Sequence, residues 1–159
     1  MPAVQTTYSA TMSAARAGMI ADMRGSTLVS YNAEAALAFG VPVSKGTAEG
    51  QCKLTAAGAT DIIGITVRDR SVAAGQDAYA QYDSARVMTE GAIWVTVTDA
   101  GGVAAGDLVW VKKADGTFSN ADAGAGGSLK INGRWETTAA NGALAVLSFN
   151  TTVPAVAGA

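Results

Sequence analysis

Ile65–Asp69 (ITVRD) and Val95–Asp99 (VTVTD) are two runs rich in β-branched residues that end in aspartate. Each is followed within a few residues by the same tetrapeptide, VAAG, at Val72–Gly75 and Val103–Gly106. β-branched side chains suit a pleated, half-buried strand, and Asp, Ala and Gly suit the turn that leaves it. The pattern predicts a strand, turn, strand unit written twice, and with it an all-β module of paired hairpins or corners. The strands are offset by thirty residues and the turns by thirty-one, which places one inserted residue in a surface loop of the second copy.

Outward from that stretch the β signal continues. Ile93, Val95 and Val97 alternate with Trp94, Thr96 and Thr98, so one face of the strand is core and the other is mixed. Leu108–Lys112 reads as a strand, and Asp115-Gly116 as the turn of a hairpin. Leu129–Thr137 and Ala143–Phe149 read as two closing strands separated by a turn at Ala140–Gly142, with Ser119–Ser128 a Gly- and Ala-rich loop before them. Upstream, Thr27–Tyr31 reads as a strand, Ala33–Phe39 is open between helix and strand, and Gly40, Pro42, Gly46 and Gly50 break the chain into short pieces. Ser13–Met23 allows a short helix, weakened by Gly18.

The expected organisation is an N-terminal arm over 1–26, a β domain over 27–150 and a plain tail over 151–159. The domain is expected to be a single β-barrel or β-sandwich, jelly-roll-like or β-tulip-like. Ile65, Val67, Ile93, Val95, Val97, Val109, Val111, Leu144 and Val146 are its expected core. The arm, centred on Met19, Ile20, Ala21, Asp22 and Met23, is expected to depend on a partner for order.

Composition narrows the function. The chain has 159 residues, enough for one core without disulfides or metal. Charged residues are 15% and apolar residues 49%, against roughly 25% charged in an ordinary soluble domain. A surface this poor in charge predicts extensive contact with other protein. The net charge is −2 and Lys112-Lys113 is the sole adjacent basic pair, so no nucleic-acid partner is expected. The first residues show no signal peptide and no membrane span, which leads to an expectation of cytoplasmic synthesis and no membrane partner.

There is no histidine, which removes the usual general base and the histidine-dependent triads and zinc sites. Asp61, Asp69, Asp77, Asp83, Asp99, Asp107, Asp115 and Asp122 stand beside small or hydroxylic residues at apparent turns, where Asp shapes the backbone. No catalytic residue, metal site or cofactor is therefore expected. Cys52 is the single cysteine and reads as a small buried residue. Trp94, Trp110 and Trp135, with Tyr79 and Tyr82, read as core or interface anchors. The alternative is a sugar-binding platform on a carbohydrate-binding or adhesin-type module.

Ala17–Met23 (AGMIADM), Phe39–Thr47 (FGVPVSKGT), Gly64–Val67 (GITV), Asp77–Tyr82 (DAYAQY) and Glu90–Val97 (EGAIWVTV) come in that order. Ala105–Val109 (AGDLV), Ile131–Glu136 (INGRWE) and Gly142–Leu147 (GALAVL) follow. Together they resemble the structural cement proteins of tailed bacteriophage heads, from about Arg16 to Phe149. The resemblance implies a non-enzymatic protein of the virion, bound to the outer surface of the expanded head and clamping neighbouring major capsid protein subunits. It is compatible with a homotrimer at local threefold positions, the favoured expectation, or with a dimer at twofold ones.

Overall fold

A computed structural model describes residues 15–72 and 76–152. Among them there is no helix, and the strands are β1 (Thr27–Ala33), β2 (Leu37–Ala38), β3 (Pro42–Lys45), β4 (Gln51–Leu54), β5 (Gly64–Thr66) and β6 (Ala78–Tyr79), followed by β7 (Ser84–Thr96), β8 (Leu108–Lys112), β9 (Thr117–Ser119), β10 (Ser128–Trp135) and β11 (Leu144–Asn150).

The main sheet runs β1-β4-β3-β5-β7-β11-β10-β8-β9, and β1 also pairs with β7. That extra pairing closes β1, β4, β3, β5 and the first half of β7 into a small barrel, which removes its edges. The second half of β7 pairs with β11, from Glu90↔Asn150 to Thr96↔Leu144, and leads through β10 and β8 to β9. β9 returns to the turn that follows β7, where Ser119 Oγ donates to Asp99 Oδ2 at 2.7 Å. Two barrel-like bodies thus share one long strand, and β2 and β6 form a separate two-stranded sheet.

β7 serves both bodies because its parity changes part-way. Ala85 and Val87 face one core, with Leu37, Phe39, Val43, Cys52 and Tyr79. Ile93, Val95 and Val97 face the other, with Val109, Val111, Trp135 and Leu147. A register shift opposite Thr27 and Leu28 carries β1 from Glu90 to Met88, and an extra residue in a strand bends it and turns its side chains over. Gly91, at φ 137, follows directly.

The alternation expected for Ile93–Thr98 is present: Ile93, Val95 and Val97 are buried, Thr96 and Thr98 are exposed. The hairpin at Asp115-Gly116 joins β8 to β9, and the last two strands lie within a residue or two of their expected bounds. Leu144 departs from expectation: in β11 the core-facing parity is Ala145, Leu147 and Phe149, so Leu144 is only half-buried. The repeated unit does not form hairpins. β5 pairs with β3 and β7 rather than β6, and β7 pairs with β11 rather than β8, so each turn is a corner that sends the chain to another part of the sheet. Of the first VAAG, Ala73–Gly75 lie outside the described residues. What does recur is turn chemistry: Asp69 accepts from Ser71 N–H and Asp99 from Gly101 N–H.

Candidate functional site

The segment around Gly18–Ala21 lies on β7 of its own chain. β1 pairs with β7 only as far as Glu90, and the arm lies beyond it along the edge of β7 opposite β11. Gly18 N–H donates to Trp94 O at 2.8 Å, Trp94 N–H to Met19 O at 2.9 Å and Ala21 N–H to Ala92 O at 2.9 Å. On the other side Arg68 N–H donates to Gly18 O at 2.7 Å. Glycine is needed there, at φ 82, because an added Cβ would meet Arg68 N at 2.9 Å. The arm residues Gly18–Ala21 therefore find a partner strand without leaving the chain, whereas a partner-dependent segment was expected. Ser13 and Ala14, the start of the possible helix, lie outside the described residues, and Ala15–Met23 is not helical.

Beyond Ala21 the arm is held by charge. Arg24 donates to both Glu136 oxygens, at 2.5 and 2.7 Å, and its Nε donates to Asp22 Oδ2 at 2.8 Å. A planar guanidinium suits such forked contacts. The Arg24 guanidinium holds the carboxyls of Asp22 and Glu136 below their usual range. Glu136 directly follows Trp135 of the second barrel's core, so the arm is fastened at one end to β7 and at the other to the end of β10. Fastened this way, it presents Met19, Ile20 and Met23 to solvent, 40%, 41% and 103% exposed.

The aromatic residues do not converge. Trp135 is fully buried and meets Phe118 edge-on at 6.3 Å. Tyr79 is buried, edge-on to Phe39 at 5.1 Å, with its hydroxyl donating to Val67 O at 2.6 Å. These two are core residues, not interface anchors. Trp94 is half-buried beside the arm, and Trp110 is half-buried on the second barrel, with Lys130 Nζ 5.9 Å from its ring centre. Tyr82, at φ 68 and 69% exposed, stands at a turn of the first barrel. No single groove gathers them into a sugar platform.

Strand parity sorts the tryptophans. Trp135 shares parity with buried Ile131, whereas Trp94 and Trp110 alternate with buried valines and isoleucine. The carboxylates act on backbone: Asp69, Asp83, Asp99, Asp107, Asp115 and Asp122 each accept from a main-chain N–H two or three residues away. Among the described residues no three of His, Cys, Asp or Glu come together as metal ligands would. Nor is there, among them, a helix long and apolar enough to cross a membrane.

A closed barrel and a second, barrel-like body that share one long strand, with a glycine-seated arm and turn-forming carboxylates, define a structural β module. The family described as structural cement protein (E217 gp24/Pam3 gp6) matches residues 4–150. The chain belongs to that family of phage structural cement proteins. A chain from the solved capsid of Myoviridae phage XM1 has the same fold, with a TM-score of 0.75 and 23% identity over 95% of this chain and 99% of that one. No curated protein matches.

Proposed function

We propose that this protein cements the capsid by binding the outer surface of the expanded head and clamping adjacent major capsid protein subunits, with the arm face as its contact. The observation that carries this reading is the exposed apolar set Met19, Ile20 and Met23, displayed on a segment fixed by β7 and Arg24. Burying an Ile or Met side chain contributes roughly 2 kcal/mol, and Met adapts to irregular surfaces. A homotrimer, or otherwise a dimer, would carry several such faces, so later contacts become intramolecular and raise the effective affinity. The reading includes no catalysis, no cofactor, no nucleic acid and no membrane, and places synthesis in the host bacterial cytoplasm before attachment to the virion.

Heads lacking the protein are incubated with the wild-type chain or with Ile20→Asp, Met23→Asp or both. The variants should fold and keep their barrel, yet decorate heads poorly, and those heads should rupture at lower temperature. Full occupancy and unchanged rupture for the double variant would refute the arm as the capsid contact.

A further inference from the structure

Among the described residues thirteen have a φ in the left-handed region, and eleven of them are glycine. Ala125, in the Gly-rich loop before β10, is one exception, and Tyr82, at φ 68, is the other. A bulky side chain is disfavoured at such a position, which glycine adopts without cost. The backbone around Tyr82 is nevertheless firmly held. Tyr82 N–H donates to Ala33 O at 2.7 Å and Ala33 N–H to Asp83 O at 2.9 Å, which fixes the turn to the buried end of β1. Asp83 N–H donates to Ala80 O at 3.2 Å, Ala80 N–H to Asp83 Oδ2 at 2.8 Å and Gln81 Nε2 to Glu34 O at 3.0 Å. Each of these bonds is made by backbone or by a neighbouring side chain, and none by the phenol. Tyr82 itself is 69% exposed. The strained turn therefore holds out a side chain that the fold's own core does not use.

We infer that Tyr82 is a preset anchor and the second grip of the clamp, seated in an apolar slot on the major capsid protein subunit next to the one the arm holds. This rests on the reading of the protein as a capsid clamp and adds the contact that a clamp needs beyond the arm. Tyr82 lies two residues before β7 begins at Ser84, whereas the arm lies on Ala92–Trp94, near the end of the same strand. Trp94 is ten positions beyond Ser84, at most roughly 33 Å, which is about the width of a small domain. The two contacts can thus rest on different subunits. A tyrosine offers a large, stiff contact at low cost in side-chain entropy, and a backbone fixed beforehand removes a further cost from binding. Its flanks, Gln81, Asp83 and Ser84, are polar and exposed. One aromatic ring buries about 150–250 Å², far below the roughly 1,200 Å² of a stable pair, so this turn is not a dimer face. It serves as one point of a multipoint attachment, effective because the arm has already brought it close.

The test compares the wild-type chain, Tyr82→Gly and the double arm variant Ile20→Asp with Met23→Asp, first alone and then on heads. Alone, Tyr82→Gly should melt about 2–4 °C higher, because glycine relieves the left-handed conformation. On heads at saturating protein it should reach wild-type occupancy, then leave at least about ten-fold faster after dilution. A residue kept for the fold alone would not gain stability and lose grip together. A benzophenone side chain placed at position 82 should crosslink to the capsid subunit on irradiation. A lower melting temperature for Tyr82→Gly would give the ring a role within its own fold, and a crosslink to a second copy would give it another partner; either overturns the inference. Wild-type release by Tyr82→Gly overturns it as well, and the clamp reading then stands if the arm variant is still lost from heads. An arm variant that stays bound refutes the arm contact instead, while the release of Tyr82→Gly and the crosslink still decide the anchor.

Discussion

Gly18 and Gly40 meet back to back: a Cβ added to Gly40 would lie 2.7 Å from the Gly18 amide nitrogen. Both are in the left-handed region, at φ 82 and 71, where a non-glycine residue costs about 1–3 kcal/mol before any clash. The neighbours are backbone atoms and the Cβ atoms of Phe39 and Ala17, none of which can swing aside. Gly18→Ala and Gly40→Ala should each lift the arm from β7 and leave the barrels folded. Trypsin should then cut faster after Arg16 and Arg24, with the Trp94 amide losing protection. Unchanged cleavage and unchanged Trp94 exchange would show that the close approach does not set the seat.

Trp135 is fully buried, and its indole N–H has no hydrogen-bond partner among the described residues. A buried donor left unpaired costs about 1–3 kcal/mol. Trp135→Phe removes that cost together with part of the packing, so the denaturation midpoint should shift by about 1.5 kcal/mol or less. Trp135→Ala leaves a cavity and should cost about 3–5 kcal/mol. Equal losses for Phe and Ala would mean that the indole's shape outweighs the orphaned donor.

Local alternation made Ile93–Val97 legible, because its two faces meet core and solvent and the sequence must record the difference. The barrel closure was not legible. Asn32↔Gln51 and Ala33↔Cys52 are a two-residue parallel contact with no local signature, and β3 and β4 sit between Pro42, Gly46 and Gly50, which read as breakers. Pro42 instead opens a strand, and Gly46 and Gly50 flank a turn, both permitted roles. The arm was visible as a motif, but its seat was not: Gly18 needs Gly40 and Arg68, which only the fold brings together.

Cys52 is buried on β4 against Ala33, and burial pushes its thiol up to about 11. The thiolate is the reactive form, so at neutral pH almost none is present and the reagent has no access. Ellman's reagent should react with the native chain no faster than the chain opens, and with one thiol per chain at once in guanidinium. Rapid stoichiometric reaction in the native state would contradict the buried assignment.

Arg24 links Asp22 to Glu136, and both carboxyls are held below their usual range, first of all by hydrogen bonds from that guanidinium. A depressed carboxylate pKa means that the folded arm binds fewer protons than the free one. The stabilisation is therefore complete above the unperturbed carboxylate range, about pH 4 to 5. It is lost as pH falls through the lowered values, when protonation removes the acceptors. The groups are exposed and screened, so the effect on the whole fold should be small and salt-sensitive. It should be visible locally: on acidification from neutral pH, Ala21 and Trp94 amide signals should hold until below about pH 4 and then move together while the barrel signals stay. Glu136→Gln should remove most of that transition, and raised salt should loosen the arm at neutral pH in the wild-type chain only. A transition that persists unchanged in Glu136→Gln would place the acid-sensitive contact elsewhere than the Arg24 bridge.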